Sequence, residues 1–294
     1  MDFNEALVDL PDGRTLEVAT LGEPSGATVF FHHGTPGSSR TIKAFAPLLD
    51  RGRFFFITTS RAGYGRSTRH EGRSVASVVD DARVALDHFG RGDYVSVGWS
   101  GGGPHALACA ALDTPRCLGV VTLASVAPMD AGFDWTEGMG PGNIEEFELA
   151  KKGGADFEAA IATAGAFIKV MTGDNVIDVL AGLLSDPDKA VFASVEAREL
   201  FAEASRYAFE EGYWGFYDDD LAFCRPWGFY PTSIEVPADV FYGDADLMVP
   251  PTHGAWLAGH LPAARAHLYQ AEGHVSIYVN HFDEVAAALQ RALG

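Results

Sequence analysis

Short continuous apolar runs alternate along this chain with stretches whose apolar residues recur at helical spacing. Residues 5–10 and 14–20 alternate apolar and polar positions around Pro11-Asp12-Gly13, the pattern of a hairpin. Thr28–His32 and Phe54–Thr58 are unbroken apolar runs, of the kind a parallel sheet buries on both faces. A helix is expected around Ile42–Leu49 between them. Val75, Val78, Val79, Ala82, Ala85, Leu86 and Phe89 mark one helical face, opposite Asp80, Asp81, Arg83 and Asp87, and Gly90 ends that helix. Val95–Trp99 then reads as a strand, Ala106–Leu112 as a helix and Gly119–Leu123 as a strand. Strict strand–helix alternation predicts an α/β protein, a parallel sheet with right-handed crossovers.

The alternation breaks after Ala127-Pro128 and resumes with a strand at Asp239–Tyr242. A helix from about residue 252, a strand at Ala266–Tyr269 and a helix from Phe282 complete the chain. Residues 1–127 and 234–294 therefore read as one core, and residues 128–233 as a helical insertion, with helices expected at 143–152, 156–172, 175–184 and 188–211. The insertion holds 17 of the 34 aromatic residues and carries about −13 of the net charge. Most of those aromatics are expected to pack the insertion's own core and most of the acids to coat its surface. An aromatic, acidic insertion above a sheet edge also suits a substrate-enclosing lid.

Composition narrows the possible partners. The 294 residues are enough to bury a large core, and 47% hydrophobic content marks a globular chain. A formal charge of −19 and a pI near 4.7 argue against nucleic acid and anionic membranes as partners. They leave a small-molecule substrate. Cys109, Cys117 and Cys224 form neither a disulfide framework nor a metal-ligand spacing, which suits a reducing compartment. Met1–Glu5 lacks a signal pattern and no apolar run reaches the ~20 residues of a membrane span, so a cytoplasmic protein is expected. The sequence leaves the oligomeric state open.

The chemistry centres on Gly98-Trp99-Ser100-Gly101-Gly102, a G-x-S-x-G sequence between a strand and a helix. In that context the serine sits on a tight turn that exposes its hydroxyl at the carboxyl edge of a sheet. Glycine two residues before and two after removes the side chains that would clash there. A serine hydroxyl needs a general base. Of ten histidines, His274 stands on a loop just past the last strand, at the edge where ligands gather in open α/β sheets. His253, His260 and His281 lie in or beside helices and read as surface residues. The base needs an acid, and Asp244 and Asp246 both follow the preceding strand; Asp130, after the strand that follows the serine turn, competes. Two oxyanion donors are expected, the backbone N–H of Gly101 and that of Thr35 in His33-Gly34-Thr35-Pro36. Neither a metal nor a nucleotide cofactor is implied, since H-E-x-x-H, a Walker lysine and a full G-x-G-x-x-G are all missing. Asp218-Asp219-Asp220 reads as a solvated loop or helix end.

These segments, with Arg61-Ala62-Gly63-Tyr64-Gly65-Arg66-Ser67, Gly243-Asp244-Ala245-Asp246-Leu247-Met248-Val249-Pro250 and Gly273-His274, resemble the α/β-hydrolase fold family. The resemblance spans residues 5–127 and 234–294 and weakens over the insertion. It implies an eight-stranded, mostly parallel, doubly wound sheet with an inserted helical cap. It also implies Ser100 as nucleophile, His274 as base, Asp246 (the fourth place of G-x-x-D-x-x-V-P) as acid, and Thr35 with Gly101 as oxyanion hole. Serine rather than aspartate at position 100 argues against the haloalkane dehalogenases and epoxide hydrolases of this fold. The expected activity is cleavage of a small carboxylic ester or related acyl substrate. An aminopeptidase like the proline iminopeptidases, holding an α-amino group on Glu145, Glu196, Glu199, Glu203 or Glu210, is one alternative. A carbon–carbon bond hydrolase and a small-molecule receptor of the same fold are others. Pocket-lining aromatics are sought among Phe133, Trp135, Phe167, Trp214, Phe216 and Trp227.

Overall fold

A computed structural model describes residues 3–294; Met1 and Asp2, which begin the Met1–Glu5 stretch and the 1–127 segment, lie outside the described residues. Eight strands form one sheet: β1 (Phe3–Asp9), β2 (Thr15–Gly22), β3 (Ala27–His32), β4 (Phe54–Ser60), β5 (Tyr94–Trp99), β6 (Cys117–Leu123), β7 (Ala238–Gly243) and β8 (Ala264–Tyr269). Their order across the sheet is β1-β2-β4-β3-β5-β6-β7-β8. The β1–β2 hairpin pairs antiparallel and β2 meets β4 antiparallel, while every pairing from β4 to β8 is parallel.

The unbroken apolar runs explain the two-layer cover. Phe30, Phe55, Ile57 and Val120 pack on one face with α1 (Val78–His88), α2 (Gly102–Leu112) and α9 (Pro251–His260). Val29, Phe31, Phe54, Phe56 and Val121 pack on the other with α11 (Phe282–Leu293) and the 3-10 segment Ser39–Asp50. α11 buries Val285 and Leu289 completely, worth about 1.5–3 kcal/mol each. The order of strand addition reverses at β3, since β4 lies to one side of β3 and β5 to the other while all three run parallel. Such a switch point opens a crevice at the strands' carboxyl ends.

Between β6 and β7 lie six helices: α3 (Pro141–Lys152), α4 (Gly154–Lys169), α5 (Val176–Val179), α6 (Asp186–Val191), α7 (Val195–Ala208) and α8 (Trp214–Phe223). A short α10 (Ser276–Val279) precedes α11. Several sequence expectations need correction. The helix expected at 42–49 is 3-10, with Pro47 inside it unable to donate an i→i−4 bond. The helix expected at 188–211 is two, because Ser194 starts a new one by accepting the Ala197 N–H at 3.3 Å. That at 175–184 shrinks to four residues, and Gly182 beyond it has φ +84°. α8 was not expected at all. Its Asp218, Asp219 and Asp220 interrupt the apolar pattern, yet all three are buried, not solvated. His253 is also buried, its Nδ1 accepting the Ala127 N–H at 3.1 Å and its Nε2 lying 2.9 Å from the Trp135 carbonyl. Burial pushes its pKa down to about 4, so it is a neutral core residue. His281 is half-buried, with its Nε2 3.1 Å from Glu272.

Among the described residues no helix is long and apolar enough to cross a membrane.

Candidate active site

Ser100 stands at the switch point, directly after β5, with φ +57°. A non-glycine residue in the left-handed region costs about 1–3 kcal/mol and persists only where its surroundings impose it. The surroundings here are backbone. A Cβ on Gly98 would collide with the Gly102 carbonyl, and one on Gly102 with the His32 carbonyl at the end of β3. The third glycine after the serine has its own reason, since a Cβ on Gly103 would strike the Ser125 side chain. Gly101 caps α2, and a Cβ there would hit Thr35.

His274 and Asp246 come from the loops after β8 and β7. The His274 Nδ1 lies 2.8 Å from Asp246 Oδ2, and both residues are buried. Asp246 is fixed by its other oxygen, which accepts the N–H groups of Met248 and Val249 at 2.8 Å each. Asp244 instead accepts the Ala271 N–H at 2.7 Å, and Asp130 is exposed. Burial works against a charged imidazole, but the Asp246 carboxylate and its hydrogen bond, with help from Asp188, hold the His274 pKa above its ordinary value. Ser100 and His274 border the same cavity, and among the described residues neither Ser100 Oγ nor His274 Nε2 makes a hydrogen bond.

Two residues that sequence reasoning missed hold the His274 loop. Trp99 donates its indole N–H to the His274 carbonyl at 3.0 Å. Asp188, on α6 and wholly buried, accepts the N–H groups of His274 (3.0 Å), Val275 (2.7 Å) and Ser276 (3.0 Å), and the Ser185 hydroxyl at 2.7 Å. A side chain on Gly273 would overlap Ser185 and Asp188. An acid on a short helix of the insertion carries no motif, so nothing in the local pattern marks it.

The His33–Pro36 loop is held in the same way. The Asp219 carboxylate accepts the Thr35 hydroxyl at 2.7 Å, the Tyr64 hydroxyl at 2.9 Å, and the guanidinium groups of Arg61 (2.7 Å) and Arg73 (2.6 Å). Burial would raise its pKa, but the two arginines hold it well below the usual carboxylate range. Arg61 also donates to the carbonyls of His33 and Gly34. His33 and His105 are buried and kept neutral, by burial first and by Arg61 second. No protein acceptor takes the N–H of Thr35 or Gly101 among the described residues.

Over these groups lies a cavity of about 650 Å³, lined by Ser100, Thr35, Gly101 and His274 below and by α3, α4, α7 and α8 above. Phe147, Phe167, Phe216 and Phe223 reach it; of the six aromatics singled out by sequence, only Phe167 and Phe216 do. None of Glu145, Glu196, Glu199, Glu203 and Glu210 lines it. Glu145 is exposed, for example, and Glu203 pairs with Lys43 at 2.8 Å. The acids that do line it are Glu146, Asp220 and, at the exposed rim, Asp178. No group of three or more His, Cys, Asp or Glu is placed to hold a metal among the described residues.

Residues 27–148 match the family model described as the alpha/beta hydrolase fold. The esterase RhEst1 from Rhodococcus sp. ECU1013 superposes with a TM-score of 0.67 over 99% of both chains, at 20% identity. The chain carries the α/β-hydrolase fold. Two curated proteins share part of its sequence. An uncharacterized hydrolase of Bacillus subtilis (strain 168), YcgS, is 31% identical over 114 residues, 39% of each chain. The bifunctional esterase/perhydrolase DCH of Acinetobacter calcoaceticus is 29% identical over 124 residues, 42% of this chain and 45% of that one. The matches thus span less than half the length of either relative. Within this α/β-hydrolase-fold chain the family match covers Thr35 and Ser100, while Asp246 and His274 lie beyond it.

Proposed function

We propose that the chain is a serine hydrolase that cleaves a small carboxylic ester or related acyl substrate through an acyl-enzyme. The observation that carries this reading is Ser100 held at φ +57° in one cavity with His274, whose Nδ1 is 2.8 Å from Asp246. With Nδ1 taken by Asp246, Nε2 is the nitrogen left to receive the Ser100 proton. Ser100 Oγ attacks the carbonyl carbon as that proton moves to Nε2. The oxyanion formed is met by the N–H groups of Thr35 and Gly101, and each such donor is worth roughly 10²–10³ in turnover. Collapse breaks the ester bond, and the departing alcohol takes the proton from His274. Water then gives a proton to His274 and attacks the acyl carbon, and Ser100 recovers its proton as the acid leaves. Residues 128–233 act as the cap over this reaction, and the three free cysteines fit work in a reducing cytoplasm. The esterase names of two relatives lean the same way. Labelling with a fluorophosphonate tests the reading: Ser100 becomes phosphonylated and Ser100→Ala does not, whereas equal labelling of both would refute it.

A further inference from the structure

Two carboxyl groups lie side by side in the cavity, one on each of two helices of the insertion. Asp220, on α8, is fully buried, and among the described residues no N–H or hydroxyl group reaches either oxygen of its carboxyl group. Its immediate partner is Glu146 on α3, a second carboxyl and not a cation. Both border the cavity that Ser100 borders. The lining includes no lysine or arginine, and its remaining walls are largely aromatic and aliphatic, with Phe147, Phe216 and Phe223 among them. Arg73, whose charge acts on Asp220, is already bound to Asp219 at 2.6 Å. A proton shared with Glu146 is the one donor the pair has, and it leaves buried acceptor oxygens that a donor from outside the chain would satisfy.

We propose that Glu146 and Asp220 form a cation subsite in the Ser100 cavity, so that the acyl substrates carry an ammonium or similar organic cation. The proposal rests on the reading of Ser100 as nucleophile, and it makes the pair a determinant of specificity. An ammonium brings N–H donors to the Asp220 oxygens and a charge opposite to that of the ionised pair. Faces of the neighbouring aromatic rings add cation–π attraction. The protein's −19 charge concentrates cations around it.

The groups facing the pair also couple the subsite to protons. Burial pushes Glu146 up to about 8. Burial, Glu146 and Asp219 raise Asp220, against the opposing pull of Arg73. Cys224, just past the end of α8, is itself pushed up to about 12 by burial and Asp220, and so stays a neutral thiol. A bound ammonium favours the ionised pair, so its arrival drives a proton into solvent.

The test compares n-hexylammonium with 1-hexanol as inhibitors of p-nitrophenyl acetate hydrolysis. In the wild type the ammonium is expected to bind about tenfold to a hundredfold more tightly, the range of a charge-assisted hydrogen bond. In Asp220→Asn and Glu146→Gln that ratio, internal to each protein, is expected to shrink towards one. Equal inhibition by the two compounds in the wild type, or an undiminished ratio in both variants, overturns the subsite. If the wild type takes no fluorophosphonate, the hydrolase reading fails by itself. Calorimetric titration with the same two compounds then decides the subsite alone, by an ammonium preference or its lack. Should neither variant fold, titration of the wild type in buffers of different ionisation enthalpy settles the matter: a released proton supports the subsite and none overturns it.

Discussion

Replacing Asp188 is expected to damage the reaction from a residue that never touches substrate. Its carboxylate collects three consecutive N–H groups, those of His274, Val275 and Ser276, together with the Ser185 hydroxyl. In Asp188→Ala those donors lose their acceptor inside the protein. Each such loss costs about 1–3 kcal/mol. Water entering the vacated space limits the sum, so about 3–5 kcal/mol is expected, a large part of a typical domain's stability. Asp188→Asn is the sharper probe. It keeps one oxygen for Val275 and Ser276 but sets an NH2 group against the His274 N–H, at about 1–3 kcal/mol. Its loss of charge also removes one of the influences that raise the His274 pKa. The acid limb of kcat/KM therefore moves to lower pH, while kcat falls by about tenfold to a hundredfold as the imidazole shifts. Chemical denaturation and a pH–rate profile with p-nitrophenyl acetate measure both effects. An unmoved acid limb with an unchanged kcat in Asp188→Asn would show that α6 has no part in placing the base.

Other expectations follow from the same geometry. Ser100→Ala is expected to abolish p-nitrophenyl acetate turnover, while its thermal midpoint stays close to that of the wild type, because alanine keeps the same Cβ at the same positive φ. The wild-type acid limb is expected above the ordinary histidine value of 6.5, since His274 must lose its proton to act and its pKa is raised. In Asp246→Asn burial is opposed by Asp188 alone, so the residual activity, roughly 10⁴-fold lower, is expected to titrate at lower pH. Gly101→Ala places a methyl group against Thr35, in the oxyanion hole we propose. A loss of kcat of about 10²-fold or more, with less than about 2 kcal/mol of stability lost, is expected by steady-state kinetics and urea melts.

The core was legible because its signals are local. Unbroken apolar runs such as Phe54–Thr58 announced strands buried on both faces, and Gly98 and Gly102 announced a turn that bears no side chains. Ser100, His274 and Asp246 each follow a strand, so the sheet edge that gathers them could be inferred from order alone. The insertion was harder, because several of its acids face inward. Asp218–Asp220 looked like a solvated acidic run, yet Asp218 binds Arg69 at 2.8 Å, Asp219 binds Arg61 and Arg73, and Asp220 borders the cavity. Partners about 150 residues away in sequence leave no periodic trace. The same holds for Asp188, which reaches His274 across 86 positions.

The Asp219 cluster bears on how such chains can be recombined. One carboxylate from the insertion satisfies two buried guanidinium groups of the core and the hydroxyls of Tyr64 and Thr35. Exchanging residues 128–233 for the equivalent piece of a relative would strand Arg61 and Arg73 as unpaired charges unless that piece brings its own acid to the same spot. A library of chimeras should accordingly divide into two groups. Those that inherit position 219 together with 61 and 73 would accumulate as folded protein, and those that split the three would be cleared or aggregate. Specificity can thus be traded among relatives only in blocks, and the block must contain its own counterion.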